Sequence, residues 1–393
     1  MKVLRCSAKR TLVLSYQVVL RFIAMPKRKI KVIDLFAGAG GLGVGAHQAG
    51  SEVVASVELD STACQTLRLN SQMHGKIFET DVSDLSADDL LKAAGVTGDD
   101  LVIVVGGPPC QPFSKAAYWT DTGEDAAYRR ARANGVAVAK PLVNMKVKED
   151  ARRDLVKEFW RIVQQSSADG FVFENVPSIK HPRNKPVYDA LVKVARDGGY
   201  FVTELVVKAV EYGVAQARER VVVLGSKVKP PKVPSITHSA DEDLGLLPIV
   251  STGTALAPFA GAEHFEPEEV VIGRWAKHLE EVPPGWNYKA HTAWAGHPSP
   301  TFVTETRFWN FLLKLSPDRP SWTIAASPGP WTGPFHWTSR RLRTVELAAL
   351  QGFPDGYVVA GSRRDRVKQM GNAVPVPVAK AMVASVMASL EGS

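Results

Sequence analysis

A chain of 393 residues, 45% hydrophobic and 22% charged, has enough apolar matter for a large core and one or two domains, which excludes a disordered polypeptide. Its net charge of +8 suits a polyanionic partner as well as it suits a merely basic enzyme. Three cysteines, Cys6, Cys64 and Cys110, are an odd set without metal-ligand spacing, so neither a disulfide scaffold nor a metal site is expected.

No run of 18 apolar residues occurs, and no membrane span is expected. Residues 1–24 read as an N-terminal extension or an ordered N-terminal helix. The apolar run 11–24 follows Lys9 and Arg10, but Arg21 interrupts it and no small-residue cleavage pattern follows.

Residues 30–36 form a predicted strand that runs into a glycine-rich turn and a helix. Gly38, Gly40 and Gly43 fit G-x-G-x-x-G, and Glu58 ends the next predicted strand, 53–57. This is formally a dinucleotide fingerprint, but an adenosine-containing ligand without a pyrophosphate would use the same turn and the same acid. A helix over 61–74 leads to a short strand, 77–82. Asp81 there either faces a ligand or caps the helix that follows, and the two roles are compatible.

The β-branched run 101–105 reads as a buried strand and stops at Gly106-Gly107-Pro108-Pro109-Cys110. Two prolines stiffen this loop and present the Cys110 thiol at a strand's C-terminal end, where open α/β sheets bind ligands. Residues 115–149 are polar and irregular, with Arg129, Arg130 and Arg132, and would form a lid over the thiol. An amphipathic helix over 150–166 places Leu155, Phe159, Ile162 and Val163 on one face. A buried strand from 170 then ends in Glu174-Asn175-Val176-Pro177. A carboxyl directly after Phe171-Val172-Phe173 is partly desolvated, which raises its pKa and lets it hold a proton. A helix over 186–199 precedes an antiparallel strand pair. In the segment between them, alternation puts Gln216, Arg218 and Arg220 on one side.

Composition changes near Lys227. Residues 227–334 are rich in proline and glycine, and seven of the nine tryptophans fall between Trp275 and Trp337. This reads as a separate loop-rich domain. Its tryptophans build its own core for the most part. Lys289, Arg307, Lys314 and Arg319, with Arg340, Arg341 and Arg343 just beyond, suit contact with nucleic acid. Helices over 343–351, 363–370 and 378–390 close the chain, and Gly371-Asn372 is placed to offer amides to a ligand.

Six segments occur in order: Asp34-Leu35-Phe36-Ala37-Gly38-Ala39-Gly40-Gly41, Gly107-Pro108-Pro109-Cys110-Gln111-Pro112-Phe113-Ser114, Glu174-Asn175-Val176, Gln216-x-Arg218-x-Arg220, Leu350-Gln351-Gly352-Phe353-Pro354 and Gly371-Asn372-Ala373-Val374-Pro375. Together they resemble the C5-cytosine DNA methyltransferase family from about residue 30 to residue 385. The resemblance implies an α/β fold: a Rossmann-like, doubly wound sheet in residues 25–226, a target-recognition domain in 227–334 and a returning segment in 335–393.

It also implies S-adenosylmethionine over the glycine turn (Phe36, Gly38, Gly40). Glu58 would bind its ribose and Asp81 its adenine, with Leu59, Val82, Pro108, Asn372 and Val374 completing the site. Cys110 would attack C6 of a flipped-out cytosine, Glu174 would serve N3, and Arg220, helped by Arg218, would hold O2. The arginines would also favour the thiolate. By the same resemblance the enzyme is a prokaryotic, cytoplasmic, monomeric modification methylase acting on double-stranded DNA beside a restriction endonuclease.

A tRNA cytosine-C5 methyltransferase and an inactive DNA-binding regulator are the rivals, with an NAD-dependent dehydrogenase further off. The long 115–149 insert departs from the family pattern, and 339–347 matches it only loosely.

Overall fold

The computed structural model describes residues 28–110, 113, 131, 138–139, 150–303 and 309–391. The expected extension 1–24, Arg307 and nearly all of the expected lid, including Arg129, Arg130 and Arg132, lie outside the described residues.

Eight strands carry the larger part of the chain. They are β1 (Ile30–Leu35), β2 (Glu52–Glu58), β3 (Lys76–Glu79), β4 (Leu101–Gly106), β5 (Gly170–Asn175), β6 (Phe201–Lys208), the two-residue β7 (Gln216–Ala217) and β8 (Glu219–Ser226). Seven of them form one sheet in the order β3-β2-β1-β4-β5-β8-β6. β1 to β5 pair in parallel, and β8 runs antiparallel between β5 and β6. Strand order therefore reverses between β1 and β4. The crevice outside the carboxyl ends of those two strands is the ligand-binding position of a doubly wound sheet.

The pleat explains the continuous apolar runs. Val102 and Val104 of β4 enter one hydrophobic layer, with Leu90, Phe159, Ile162 and Leu191 from the helices Ala87–Ala93, Leu155–Gln165 and Lys185–Asp197. Leu101, Ile103 and Val105 enter the opposite layer, with Leu42 and Ala46 of helix α1 (Gly41–Gln48) and Val378, Met382 and Val386 of the last helix, Val376–Leu390. A strand buried on both faces has no polar side to show, so every residue of β4 is buried. Among the described residues, one helical stretch, Arg363–Leu390, is long and apolar enough to cross a membrane. Its apolar residues pack on the sheet, so it serves here as a core helix.

The helix expected over 61–74 stops at Leu69. There Asn70 donates to Thr66 O at 2.7 Å and to Val358 O at 2.8 Å, and a tight turn, Ser71–Met73, follows. Among the described residues of 227–334 the elements are all short. A small separate core forms there from Leu279, Val282, Tyr288 and Leu312 with Phe335, and Trp275 and Trp331 pack against it. Trp322 and Trp337 pack instead on the cluster around Leu347, Phe353 and Met370. Trp286, Trp294 and Trp309 are exposed.

The expectation for the basic residues needs correction. Lys314 is buried and donates to Glu280 O, Arg340 pairs with Glu346 at 2.6 Å, and Arg343 pairs with buried Glu269. These cations hold the region together and are not free to bind phosphate.

Candidate active site

The turn after β1 begins with strain. Phe36 has φ 57°, an uncommon conformation for a bulky residue. Gly38 (φ 55°) and Gly40 (φ 84°) then turn the chain into α1. Glu58, at the end of β2, ties this turn down: its Oε2 accepts from Gly38 N at 2.8 Å, and its Oε1 accepts from Leu59 N and Asp60 N. Asp81 follows β3 and accepts from Ser83 N at 2.8 Å, so it caps the short turn Val82–Asp84. Helix Ala87–Ala93 has its own cap, Ser86.

The Cys110 loop is fixed from the next strand. Asn175 Nδ2 donates to Pro108 O at 3.1 Å. A Cβ at Gly107 would lie 2.9 Å from Glu174 Oε2, so glycine lets the loop pass closely over that carboxyl. Arg220 closes this wall, with Nε 2.7 Å from Glu174 Oε1.

A cleft of about 500 Å³ lies between these loops. Phe36, Gly38, Glu58, Leu59, Asp81, Val82, Pro108, Cys110, Glu174, Arg220, Asn372 and Val374 line it. Two residues expected at the site face elsewhere. Gly40 turns toward His74 and Tyr357. Arg218 is buried behind the wall, where Nη2 donates to Gly371 O at 2.9 Å. Gln216 also points away, donating to Leu350 O at 2.9 Å, because β7 pairs in parallel with Ser321–Trp322. Only Arg220 of the three reaches the cleft. Gly371 and Asn372 end the helix Arg363–Asn372, so that segment offers Arg218 a carbonyl where amides were expected.

Burial dominates the electrostatics. It raises the Glu174 pKa from its ordinary value, although Arg220 and Arg218 oppose it. It raises the Cys110 thiol too, with Glu174 adding to the shift. Arg220 and Arg218 do favour the thiolate, as expected, but in the protein alone their attraction is smaller than the cost of burying a charge, so the net shift is upward.

The residue patterns gave no sign of a second, buried group. Asp34 accepts from Gly43 N at 2.9 Å through Oδ2, while its Oδ1 has no partner, and burial pushes its pKa up to about 8. His74 is held near neutral form by burial, down to about 4, and its Nε2 lies 2.9 Å from Tyr357 Oη. Tyr357 in turn donates to Ala39 O at 2.6 Å, which braces the glycine turn from behind. Lys368 and Asp60 also reach the cleft and pair at 2.6 Å. Their positions, 308 residues apart, carry no local signal.

Residues 30–388 match the profile of the C-5 cytosine-specific DNA methylases. The chain belongs to that family. The methylase is 35% identical to the Type II methyltransferase M.SacI of Streptomyces achromogenes, over 92% of this chain and 94% of that one. It is 29% identical to M.NgoFVII of Neisseria gonorrhoeae, over 88% and 83%. Its fold also resembles the crystal structure of S. pombe Dnmt2 methyltransferase, with a TM-score of 0.55 and 15% identity over 92% of this chain and all of that one.

As a C-5 cytosine DNA methylase it depends on S-adenosylmethionine, whose sulfonium carries the methyl group to be transferred. The cleft fits that molecule. Its volume is that of a small-ligand site, and Glu58 and Asp81 offer acceptors beside an apolar wall that includes exposed Leu59.

Proposed function

We propose that this methylase modifies one cytosine within a specific duplex DNA sequence, as the modification half of a restriction-modification system. The observation that carries the reading is the shared cleft: Cys110, Glu174 and Arg220 line the same crevice as Glu58 and Asp81, at the point where strand order reverses. A nucleophile and a methyl-donor wall facing one space suit alkylation of a bound base.

Cytosine C5 is a weak nucleophile, and covalent addition at C6 activates it. The base is out of reach inside a duplex and has to be flipped into the cleft, at a cost of a few kcal/mol. The Cys110 thiol gives its proton to solvent and Sγ bonds to C6, while the displaced ring electrons move through C5 and C4 to N3, which takes a proton. Glu174, kept able to carry a proton by burial, serves N3, and Arg220 holds O2. The enamine so formed gives C5 the electron pair that takes the methyl group. The C5 proton then passes to solvent, the thiolate departs and N3 returns its proton to Glu174, which restores the aromatic ring. Arg218 acts as a positioning residue, since it reaches Gly371 and not the cleft.

Residues 25–226 and 335–393 would form the catalytic part and 227–334 the part that reads base edges in the major groove. Exposed Trp286, Trp294 and Trp309 support that division, as does Lys289, whose ammonium sits 5.7 Å over the Trp294 ring. The Type II methyltransferases among its bacterial relatives support work in the cytoplasm beside a cognate endonuclease, and we propose that the enzyme acts there as a monomer.

The test is a methyl-transfer assay on duplex DNA and on tRNA, with 5-fluorocytosine in the duplex target. Transfer to DNA and a covalent species lost in Cys110→Ser are expected. Activity on tRNA alone, or turnover in Cys110→Ser, would overturn the reading.

A further inference from the structure

Far from the sheet, the loop-rich region gathers three side chains with the chemistry of a cation site. Glu281 ends helix Ala276–Glu281, His291 ends the turn Tyr288–His291, and His297 follows the turn Ala293–Ala295. One donor atom from each lies within 4.8 Å of the other two.

His291 carries the argument. Its side chain is 2% exposed. Nε2 lies 2.8 Å from the carbonyl oxygen of His278, which only accepts, so the ring proton sits on Nε2. Nδ1 is then a bare lone pair. It has no hydrogen-bond partner and faces Glu281 Oε2 at 3.7 Å. Two acceptors facing each other at a buried ring need a positive species between them. A proton would satisfy two donors and leave the third without purpose. Here His297 also converges, with its ring centroid 5.1 Å from that of His291. An imidazole N–H donating to a backbone carbonyl is also the outer contact that orients metal-bound histidines.

We propose that Glu281, His291 and His297 bind a divalent cation of the zinc type, with a fourth position left to water. Two imidazoles and a carboxylate are a known donor set for this ion, and bonds of about 2.0–2.2 Å put tetrahedral donors roughly 3.4 Å apart. The His291–Glu281 pair is near that already, and the Glu281 side chain, 47% exposed, is free to close the rest. Coordination by His297 replaces the 3.2 Å contact in which Ser299 N–H donates to its Nδ1. The cation clips helix Ala276–Glu281 to both ends of the turn that carries exposed Trp294, in a region whose own core is small.

The test uses the untagged full-length protein, stripped with a chelator, re-equilibrated with Zn²⁺ and assayed for bound metal. Wild type should hold about one equivalent and melt at a higher temperature with Zn²⁺ than with chelator. Glu281→Gln and His297→Ala, both at accessible positions, should melt like chelated wild type. Each should lose at least the roughly 10–100-fold in affinity typical of disturbing a metal's surroundings. Co²⁺ in the site should give a visible spectrum without a thiolate charge-transfer band. Failure of wild type to bind Zn²⁺, unchanged binding in both variants, or a thiolate band that places the ion on Cys110 would each overturn the proposal.

Discussion

Glu174 and Arg220 form an ion pair of 2.7 Å in which both side chains are about nine-tenths buried. They stand on β5 and β8, antiparallel neighbours whose register sets Glu174 opposite Val222 and Asn175 opposite Val221. Burial raises the carboxyl's pKa and the guanidinium opposes it, a balance that suits a group carrying a proton during the reaction. Glu174→Gln keeps the shape and removes the titration. Its kcat should fall about 10²- to 10⁴-fold, the usual worth of a general acid–base group, with cofactor affinity unchanged. Single-turnover methyl transfer and a cofactor titration read the two effects separately. A rate within tenfold of wild type would mean the carboxyl handles no proton.

Arg218 and Arg220 should fail in different ways. Arg220 lines the cleft, and Arg220→Ala should lower kcat about 10²- to 10³-fold, as loss of one well-placed donor does. The change also leaves the buried Glu174 carboxyl without its ion-pair partner, which costs up to about 3–5 kcal/mol where that carboxyl stays charged. Arg218→Ala leaves a cavity and an unpaired Gly371 carbonyl, at a cost of about 2–4 kcal/mol. Denaturant unfolding sets the folded fraction of each variant, and kcat on that fraction decides between them: it should fall in Arg220→Ala and stay near wild type in Arg218→Ala. The reverse pattern would make Arg218 the residue that touches the base.

The same two arginines mark how far the sequence could be read. β4 and β5 were legible because each is an unbroken apolar run stopped abruptly, by Gly107-Pro108-Pro109 and by Pro177. Those stops bring Cys110 and Glu174 to one edge. The orientation of Arg218 was not legible. Alternation assumes a free extended segment, whereas β7 is pinned by Ser321–Trp322, Leu350 and Gly371, all more than 100 residues away in sequence. Distance also hid the acid partners of Arg340 and Arg343, which local composition presents as a basic patch. Glu281, His291 and His297 come from three short elements, and their spacing matches no metal motif. The reach of Asp34 toward Gly43 and the burial of His74 depend on the closed fold in the same way.

Gly41 and Gly45 separate the cofactor wall from simple packing, although both lie on α1. A Cβ at Gly41 would meet Val374 O at 2.1 Å, and Val374 lines the cleft. A Cβ at Gly45 would meet Ala379 Cβ at 2.4 Å, on the face that packs against the last helix. Each change to alanine overpacks its site, at about 1–3 kcal/mol. Gly41→Ala should in addition displace the wall and weaken S-adenosylmethionine binding about tenfold or more, the equivalent of about 1.4 kcal/mol. Gly45→Ala should bind the cofactor normally below its melting temperature. Calorimetric titration of both variants checks this, and equal affinities would remove Val374 from the binding wall.

Asp34 should make the methylase less stable as pH rises past neutrality. Its folded pKa is raised from the ordinary carboxylate value to about 8, so the native state keeps a proton that the unfolded chain has already lost. That contribution is full below the unfolded pKa and disappears as pH climbs toward 8. His74 acts with the opposite sign: its pKa is lowered to about 4, and the stability it contributes is lost as pH falls below the ordinary histidine value. The two oppose each other in the acid range, and only Asp34 acts above about pH 6.5. While one such group titrates, stability changes by about 1.4 kcal/mol per pH unit, or roughly 2 kcal/mol between pH 6.5 and 8. Asp34→Asn keeps an oxygen for Gly43 N and cannot ionise, so its unfolding free energy should be flatter across that window. Urea unfolding of both proteins at intervals from pH 6.5 to pH 8 measures the difference. Parallel curves would show that Asp34 is already ionised in the folded protein, with a cation or water serving its second oxygen.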